Sequence, residues 1–309
     1  VVIHPAAEGH SAIAMTVSSE SHELITLWPP LQNAGIVDRL ERHAQSIPQL
    51  NRQTPFDVLQ IIPGGNGIVS KRSERYLPGQ WPAYYKRAKG CEIWDLDDNH
   101  YFDFAQMGVG ACTLGYADPD INAAVIQAIN NGNMATLNAH EEVELAEKML
   151  SLHPGMSMAR FSRTGGEACT IAVRIARAAA GKPKVALCGY HGWHDWYLAA
   201  NLGDKSSLDG QLLPGLDPAG VPDTLRGSTL TFNFNRLDQL EAIVAEHGDE
   251  IGVIMLEPMR ATRPDQEFMR GVREIADRIK AVLIFDEVTS AFRVNMGAIY
   301  KTLSDVVPD

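Results

Sequence analysis

The chain has few of the residues that staple a fold or ligate a metal. Its 309 residues include four cysteines (Cys91, Cys112, Cys169 and Cys188), widely spaced and with no CxxC among them. That pattern supports neither a disulfide framework nor a zinc site. A reducing cytosol is the simplest setting, so the expectation is a cytoplasmic protein with no metal. No run reaches the about 18 apolar residues that a membrane span requires. The opening VVIHPAAEGH lacks the basic-then-apolar order of a secretory signal. Basic charge is in deficit, with 27 Lys and Arg against 38 Asp and Glu and a net charge of −11. Nucleic acid and anionic membrane surfaces are therefore poor partners, although a local basic pocket for a phosphate stays open. Also missing is an early GxGxxG with an acid about 20 residues on, the mark of a dinucleotide-binding unit.

What is present is an ordinary globular composition, 45% hydrophobic and 21% charged, in a chain long enough for a large core. Residues 1–55 fit no later pattern. VVIHP and SAIAMTVSS read as strands, LWPPLQNAG as a turn-rich exit and Gly35–Gln45 as a helix; Ile61–Gly67 is a loop. Cys91–Phe104 reads as a hairpin turning at Asp97-Asp98-Asn99. Pro119–Asn131 and Glu141–Leu152 are amphipathic helices, the second with Val143, Leu145, Ala146, Met149 and Leu150 inward. From Met158 strands and helices alternate. Strands are expected at Met158–Ser162, Val185–Cys188, Leu230–Phe234, Ile251–Glu257 and Ala281–Val288. Helices are expected at Glu167–Ala180, Leu237–Glu246 and Glu267–Lys280. This rhythm implies an α/β fold with a mainly parallel sheet covered on both faces.

Four features fall where strands end, which is where open parallel sheets bind ligands. SRTGGE (Ser162–Glu167) precedes a helix whose free N–H groups suit an anion, with Thr164 adding a hydroxyl. CGYHGWH (Cys188–His194) offers Tyr190 as an aromatic plate and His191 as a ligand or proton carrier. Its HxxH hints at metal, but no third ligand has suitable spacing. Glu257 follows the apolar run IGVIML, and Asp286-Glu287 follows AVLIF. A buried acid calls for a cationic partner. An anion cradle, an aromatic plate and a carboxylate at one sheet edge match the phosphate, ring face and ring nitrogen of a phosphorylated pyridine. Each feature taken singly also has a plain structural reading as a tight turn, a packing cluster or a strand-end salt bridge.

An ordered set of segments carries a family resemblance from about Phe56 to Asp309. They are IPGG (Ile62–Gly65), GCEIWDLDDNHYFDF (Gly90–Phe104), LGYADPDI (Leu114–Ile121), ELAEKM (Glu144–Met149), RTGGEACTIAVRIARAAAGKPKV (Arg163–Val185), GYHGWHDW (Gly189–Trp196), LEP (Leu256–Pro258) and LIFDEVTSAFR (Leu283–Arg293). They resemble class III aminotransferases of fold type I that use pyridoxal 5'-phosphate, most closely the glutamate-1-semialdehyde aminomutase-like branch. The resemblance implies amino-group transfer from a small-molecule donor to a keto or aldehyde acceptor, in a homodimer when full length. YHGWHDWYLAANL (Tyr190–Leu202) also resembles homologues of surface-polysaccharide synthesis, so a sugar-related acceptor belongs to the expectation. Asp286 would pair with the pyridinium nitrogen and Tyr190 would stack on the ring. Val288 would pack on the opposite ring face. Thr164, Gly165 and Gly166 would bind the phosphate, and Glu257 would line the site near the substrate or the phenolic oxygen. His191 and Arg293 would give support.

Three departures qualify this. Gly166 stands where the family usually has a hydroxyl residue. The segment after Glu257-Pro258 reads MRATRP, without the usual polar amide. The Schiff-base lysine is expected on a strand shortly after a stretch like SDVVPD (Ser304–Asp309), which ends this chain, and Lys301 comes too early to be it. The resulting expectation is a fragment without a catalytic residue of its own and without the small C-terminal domain. In that reading residues 1–55 are an N-terminal extension or the tail of an upstream domain. Residues 56–157 are the N-terminal segment with small-domain strands and interface helices, and 158–309 the first part of the cofactor-binding large domain. The competing expectation is a non-catalytic homologue kept as a binding or interaction module.

Overall fold

Strand alternation decides how the larger unit is layered. The computed structural model describes residues 82–104, 108, 110–259 and 262–309, together with Ile62, Gly65–Ile68 and Lys71. The elements expected within residues 1–55 lie outside the described residues. The chain divides into a unit that ends at Met134 and one that runs from Ala135 to Asp309.

In the first unit, β1 (Tyr85–Lys89), β2 (Glu92–Asp95) and β3 (His100–Phe102) form an antiparallel sheet in that order. The expected hairpin is β2–β3, and β1 is an additional strand. Asp95 is 1% exposed and organises the turn. Its Oδ1 accepts from the Asp97 and Asn99 N–H groups, both at 2.9 Å, and its Oδ2 from Asn99 Nδ2 and the Tyr101 hydroxyl. One carboxylate thus satisfies backbone that a tight turn leaves unpaired. Helix α1 (Pro119–Asn131) is capped by the Asp118 side chain and buries no residue in this chain.

In the second unit, β4 (Lys184–Cys188), β5 (Thr229–Thr231), β6 (Ile251–Leu256) and β7 (Val282–Phe285) form a parallel sheet ordered β5-β4-β6-β7. Every residue of β6 is buried. With both faces covered, the two-residue period sends alternate side chains into two cores. Val185, Leu187, Val253 and Met255 meet α3 (Gly165–Ala180) through Cys169, Val173 and Ala176. Ala186, Cys188, Ile254, Leu256 and Leu283 meet α6 (Gln266–Ile279) through Phe268, Met269, Val272, Ile275 and Ala276, joined by Leu240 of α5 (Leu237–His247). Each large aliphatic side chain buried here contributes about 1.5–3 kcal/mol.

The boundaries differ from expectation for identifiable reasons. Met158–Ser162 is not a strand of this sheet, and Met158 is 71% exposed. No strand of the four-stranded sheet pairs with it, and within the segment only Ala159 makes a β-bridge. Helix α3 starts at Gly165 rather than Glu167, because Thr164 caps it and draws both glycines into the first turn. Strand β5 ends at Thr231, after which Gln211 and Gln239 side chains take the Phe232 carbonyl and the Asn233 N–H. Strand β7 ends at Phe285, because the Val288 N–H turns back to Asp286 Oδ1 at 3.0 Å. On α2 (Glu141–Leu152), Met149 is buried as expected, but Val143 is 62% exposed.

Helix α2 lies in the same unit as the parallel sheet. The segment after β7 explains this. It runs through α7 (Tyr300–Leu303) and holds the end of α2 through Tyr300 O–H to the Pro154 carbonyl at 2.6 Å and Ala298 N–H to Leu152. Gly297 makes the contact possible. Its φ is +93°, and a Cβ there would lie 2.4 Å from the Leu152 carbonyl oxygen. Gly297→Ala should therefore cost roughly 1–3 kcal/mol through strain and displaced backbone. A lowered urea midpoint at unchanged slope is the expected result, and an unshifted midpoint would count against this contact.

Candidate active site

Sheet order opens the site. From β4 the chain leaves toward the β5 edge, whereas from β6 it leaves toward β7 on the other side. The strand order therefore reverses between β4 and β6, and the carboxyl ends of these strands are where an open sheet of this order binds ligands. Tyr190 and His191 leave β4 there, Glu257 leaves β6 and Asp286 leaves β7. Helix α3 runs against the strands and brings its N-terminus to the same end.

Asp286 is 7% exposed, and three donors reach it from three elements. His191 Nδ1 donates to Oδ2 at 2.8 Å, Cys169 Sγ to the same oxygen at 3.3 Å and the Val288 N–H to Oδ1 at 3.0 Å. His191, 1% exposed, also contacts the Cys188 carbonyl through Nε2 at 3.2 Å. An ionised carboxylate only accepts, so His191 Nδ1 carries the proton of this contact. Burial pushes the Asp286 carboxyl up, but the His191 hydrogen bond and charge, then the Val288 N–H and the Cys169 thiol, outweigh it. The net shift is below the ordinary carboxylate range. Burial first, and the Asp286 carboxylate second, hold the Cys169 thiol well above its usual value, so it is a donor and not a thiolate. Cys169, His191 and Asp286 place their ligand-capable atoms within 4.8 Å of one another, a set that suits a soft metal. The two contacts to Oδ2 have hydrogen-bond lengths and each has its proton, so we read the group as a hydrogen-bonded cluster.

Glu257, 5% exposed, clamps the exits of both neighbouring strands. Its Oε2 accepts from the Tyr190 N–H at 3.0 Å and its Oε1 from the Thr289 hydroxyl at 3.2 Å. Gly189 permits this, with a φ of +118° and an absent Cβ that would meet Glu257 Oε2 at 2.8 Å. The Tyr190 ring stands edge-to-face on Tyr197 of the short helix α4 (Asp195–Leu198), whose hydroxyl donates to the Gly189 carbonyl.

At the start of α3, Thr164 Oγ1 accepts from the Glu167 N–H while Glu167 accepts from the Arg163 N–H. This close relative of a capping box leaves the first N–H groups, those of Gly165 and Gly166, outside the helix's own ladder. A Cβ on Gly165 would lie 3.2 Å from Val288, so Val288 packs on the helix start. Gly166 faces His194 and Gly192. His191 and His194 thus serve different partners and do not form one ligand set. Arg293 bonds the nearby Ala291 carbonyl at 3.2 Å, and Lys301 is exposed on α7.

The structure therefore brings Gly165, Val288, Asp286 and His191 into one contiguous group, with Glu257 and Tyr190 clamped beside it. Sequence reasoning missed Cys169, Gly189 and Thr289. The first had a legible signal, since Cys169 lies four residues after Gly165 and so shares its helix face.

Comparison with known proteins places the chain in a family. The class-III aminotransferase family model covers residues 76–309. The chain belongs to that family. It is 34% identical over 257 residues to the 3-aminobutyryl-CoA aminotransferase of Cloacimonas acidaminovorans (strain Evry), covering 81% of this chain and 57% of that protein. It is 35% identical over 260 residues to the glutamate-1-semialdehyde 2,1-aminomutase of Syntrophobacter fumaroxidans (strain DSM 10017 / MPOB), covering 82% and 58%. The solved FumI protein of Sphingopyxis sp. MTA144, in its PLP internal aldimine form, superposes with a TM-score of 0.70 at 27% identity over 84% of this chain and 60% of that one. The chain thus spans little more than half the length of these relatives. The expected fold type I architecture, with a parallel sheet between helices, is the observed one. Among the described residues no helix is long and apolar enough to cross a membrane.

The pH dependence of stability follows from Asp286. Its folded value lies below the unfolded value of about 3.9, so its contribution is present above that pH and is lost as pH falls through the folded value. Asp286→Asn replaces an anionic acceptor on which three donors converge and should destabilise the protein by about 1–3 kcal/mol at neutral pH. Urea titrations at several pH values should show the gap to wild type narrowing as the solution becomes more acidic than about pH 4. A gap that stays constant with pH would mean Asp286 is not ionised in the folded protein.

Proposed function

We propose that this chain is the cofactor-binding part of a pyridoxal-phosphate-dependent enzyme. The enzyme moves an amino group between a small amino donor and a keto or aldehyde acceptor, as an aminotransferase or a glutamate-1-semialdehyde-type aminomutase. The observation that carries this reading is the spacing on one helix. Unused N–H groups at Gly165 and Gly166 lie one turn, about 5 Å, from Cys169 and the buried Asp286 it contacts. That is an anion cradle beside an ionised carboxylate, which fits a group with a phosphate at one end and a cationic ring nitrogen at the other.

In this reading the start of α3 holds the phosphate through the Gly165 and Gly166 N–H groups, with the Thr164 hydroxyl beside them. Asp286 holds a proton on the ring nitrogen, Tyr190 lies against one ring face and Val288 against the other. Glu257 orients Tyr190 and lines the cavity near the phenolic oxygen. Bound pyridoxal phosphate supplies the carrier for the amino group and an electron sink for the bonds at the reacting carbon. The likeness of Tyr190–Leu202 to polysaccharide-pathway homologues supports a sugar-related acceptor within the same carbonyl class. The thiol contact at Asp286 needs reduced cysteine, which supports a cytoplasmic setting.

Pyridoxamine 5'-phosphate tests the site directly. Trp193 and Trp196 flank it, and titration followed by tryptophan fluorescence should saturate. Asp286→Ala should weaken binding by about tenfold to a hundredfold, as expected for a lost charge-assisted hydrogen bond. Absent saturation in the wild-type chain, or equal affinity in the variant, would sink the proposal.

A homodimer belongs to the same reading. Apolar residues of the first unit stay exposed, with Leu114 at 72%, Ile126 at 58%, Ile129 at 54% and Met134 at 76%. Sedimentation velocity should show concentration-dependent dimers that are lost in Ile126→Asp/Ile129→Asp. A wild-type chain monomeric at high micromolar concentration would contradict this.

A further inference from the structure

The Asp286 carboxylate has about four acceptor positions when ionised. Three are filled, two on Oδ2 by His191 and Cys169 and one on Oδ1 by the Val288 N–H. One remains, on Oδ1. The His191 contact and the Val288 turn are legible as supports of the strand exit. The Cys169 contact is different, because it comes from α3, the element that also forms the anion cradle. We propose that Cys169 is a positioning residue for Asp286: its thiol donates into Oδ2 beside His191, so that the carboxylate stays ionised and presents Oδ1 to a protonated ring nitrogen. The inference rests on the reading of Asp286 as the ring-nitrogen partner given above.

The physical basis is the shared acceptor. Two donors on one oxygen divide its electron density, so each weakens the other's hydrogen bond. Together they lower the proton affinity of the whole carboxylate. A proton placed between Asp286 Oδ1 and a ring nitrogen then stays on the nitrogen. Without the thiol, Oδ2 becomes more basic, the His191 bond tightens and the proton is drawn toward the carboxylate.

The choice of sulfur also has a local reason. Position 169 is 5% exposed and lies in the apolar cluster with Val173, Ala176, Leu187 and Met255. A thiol tolerates that setting as a small hydrophobe with a weak donor. A hydroxyl on this helix has a competing acceptor, as Thr170 shows by donating to the Gly166 carbonyl one turn back at 2.8 Å. Serine at 169 would divide its proton between the Gly165 carbonyl and Asp286 and should replace the thiol only in part.

Two readouts test the inference in the full chain, with Cys169→Ala and Cys169→Ser as variants and thermal melts confirming that each is folded. The first needs no cofactor. The His191 Nδ1 proton should resonate far downfield in the proton NMR spectrum at neutral pH, identified by its loss in His191→Gln. It should move further downfield in Cys169→Ala and by a smaller step in Cys169→Ser. An unmoved resonance in the alanine variant overturns the inference whether or not pyridoxal phosphate binds. The second uses pyridoxamine 5'-phosphate labelled with nitrogen-15 in the ring. Its resonance should sit at the protonated position in wild type and shift toward the unprotonated position in Cys169→Ala, with serine between. Equal positions in wild type and Cys169→Ala also overturn the inference. Failure of the labelled compound to bind wild type counts against the cofactor reading instead, and the first readout then decides the role of Cys169.

Discussion

A buried carboxylate that stays ionised is the constraint on which this site depends. Asp286 is nearly inaccessible, and desolvation alone would neutralise it. It keeps its charge because β4 delivers His191, α3 delivers Cys169 and the turn after β7 delivers the Val288 N–H. None of these donors is adjacent to the others in sequence. The cluster thus ties the packing of α3 on the sheet to the chemistry at the sheet's edge, because displacing the helix would remove a donor as well as apolar contacts. Glu257 applies the same logic one strand over, where a single carboxylate on the central β6 fixes the exits of β4 and β7. The carboxyl end of the sheet is therefore tied together by charged hydrogen bonds, while the two apolar layers below set the spacing of the strands.

The adjacent carboxylates Asp286 and Glu287 divide this work. Neighbours leaving a strand point to opposite sides. Asp286 turns to α3 and His191, whereas Glu287 turns to the other side and accepts from the Ile299 and Tyr300 N–H groups at 2.8 and 3.2 Å. Their protonation follows. Both are desolvated, but the His191 contact pulls Asp286 down, while burial, with the neighbouring Asp286 charge adding to it, holds Glu287 above its ordinary value despite its two amide hydrogen bonds. The first is suited to hold a positive ligand. The second organises the segment that packs on α2.

Much of this was legible in the sequence because it depends on local pattern. The alternating and continuous apolar runs marked β4, β6 and β7, and the helical periodicity marked α2, α3 and α6 to within a residue or two. Thr164, Gly181 and the two glycines near α3 are local capping and turn signals. The expectations that failed depended on partners. Met158–Ser162 has strand-like composition but no neighbour in the four-stranded sheet, and strand propensity is realised only through cross-strand pairing. Val143 has a helical phase that points inward on an isolated wheel, yet it is exposed. Cys169 looked like one of four scattered cysteines because its partner lies 117 residues away.

Gly166 shows how a local departure can be a matched change. Where the family resemblance leads to the expectation of a hydroxyl residue, this chain has no side chain. In isolation that reads as a lost hydrogen bond. In the structure, a Cβ on Gly166 would lie 3.0 Å from the His194 ring, and a Cβ on Gly192 would lie 2.8 Å from the Gly166 Cα. The loop after β4 is thus pressed onto the first turn of α3, closer than any side chain at 166 or 192 allows. His194 fills the volume that a larger residue at 166 would claim, and it stacks on Trp193 with ring centroids 4.7 Å apart. The two glycines and the histidine form one steric unit, so restoring a hydroxyl at 166 alone would displace the loop that carries Tyr190 and His191. The first turn of α3 and the loop after β4 are consequently coupled through backbone contact, and sequence differences at either one have to be read together.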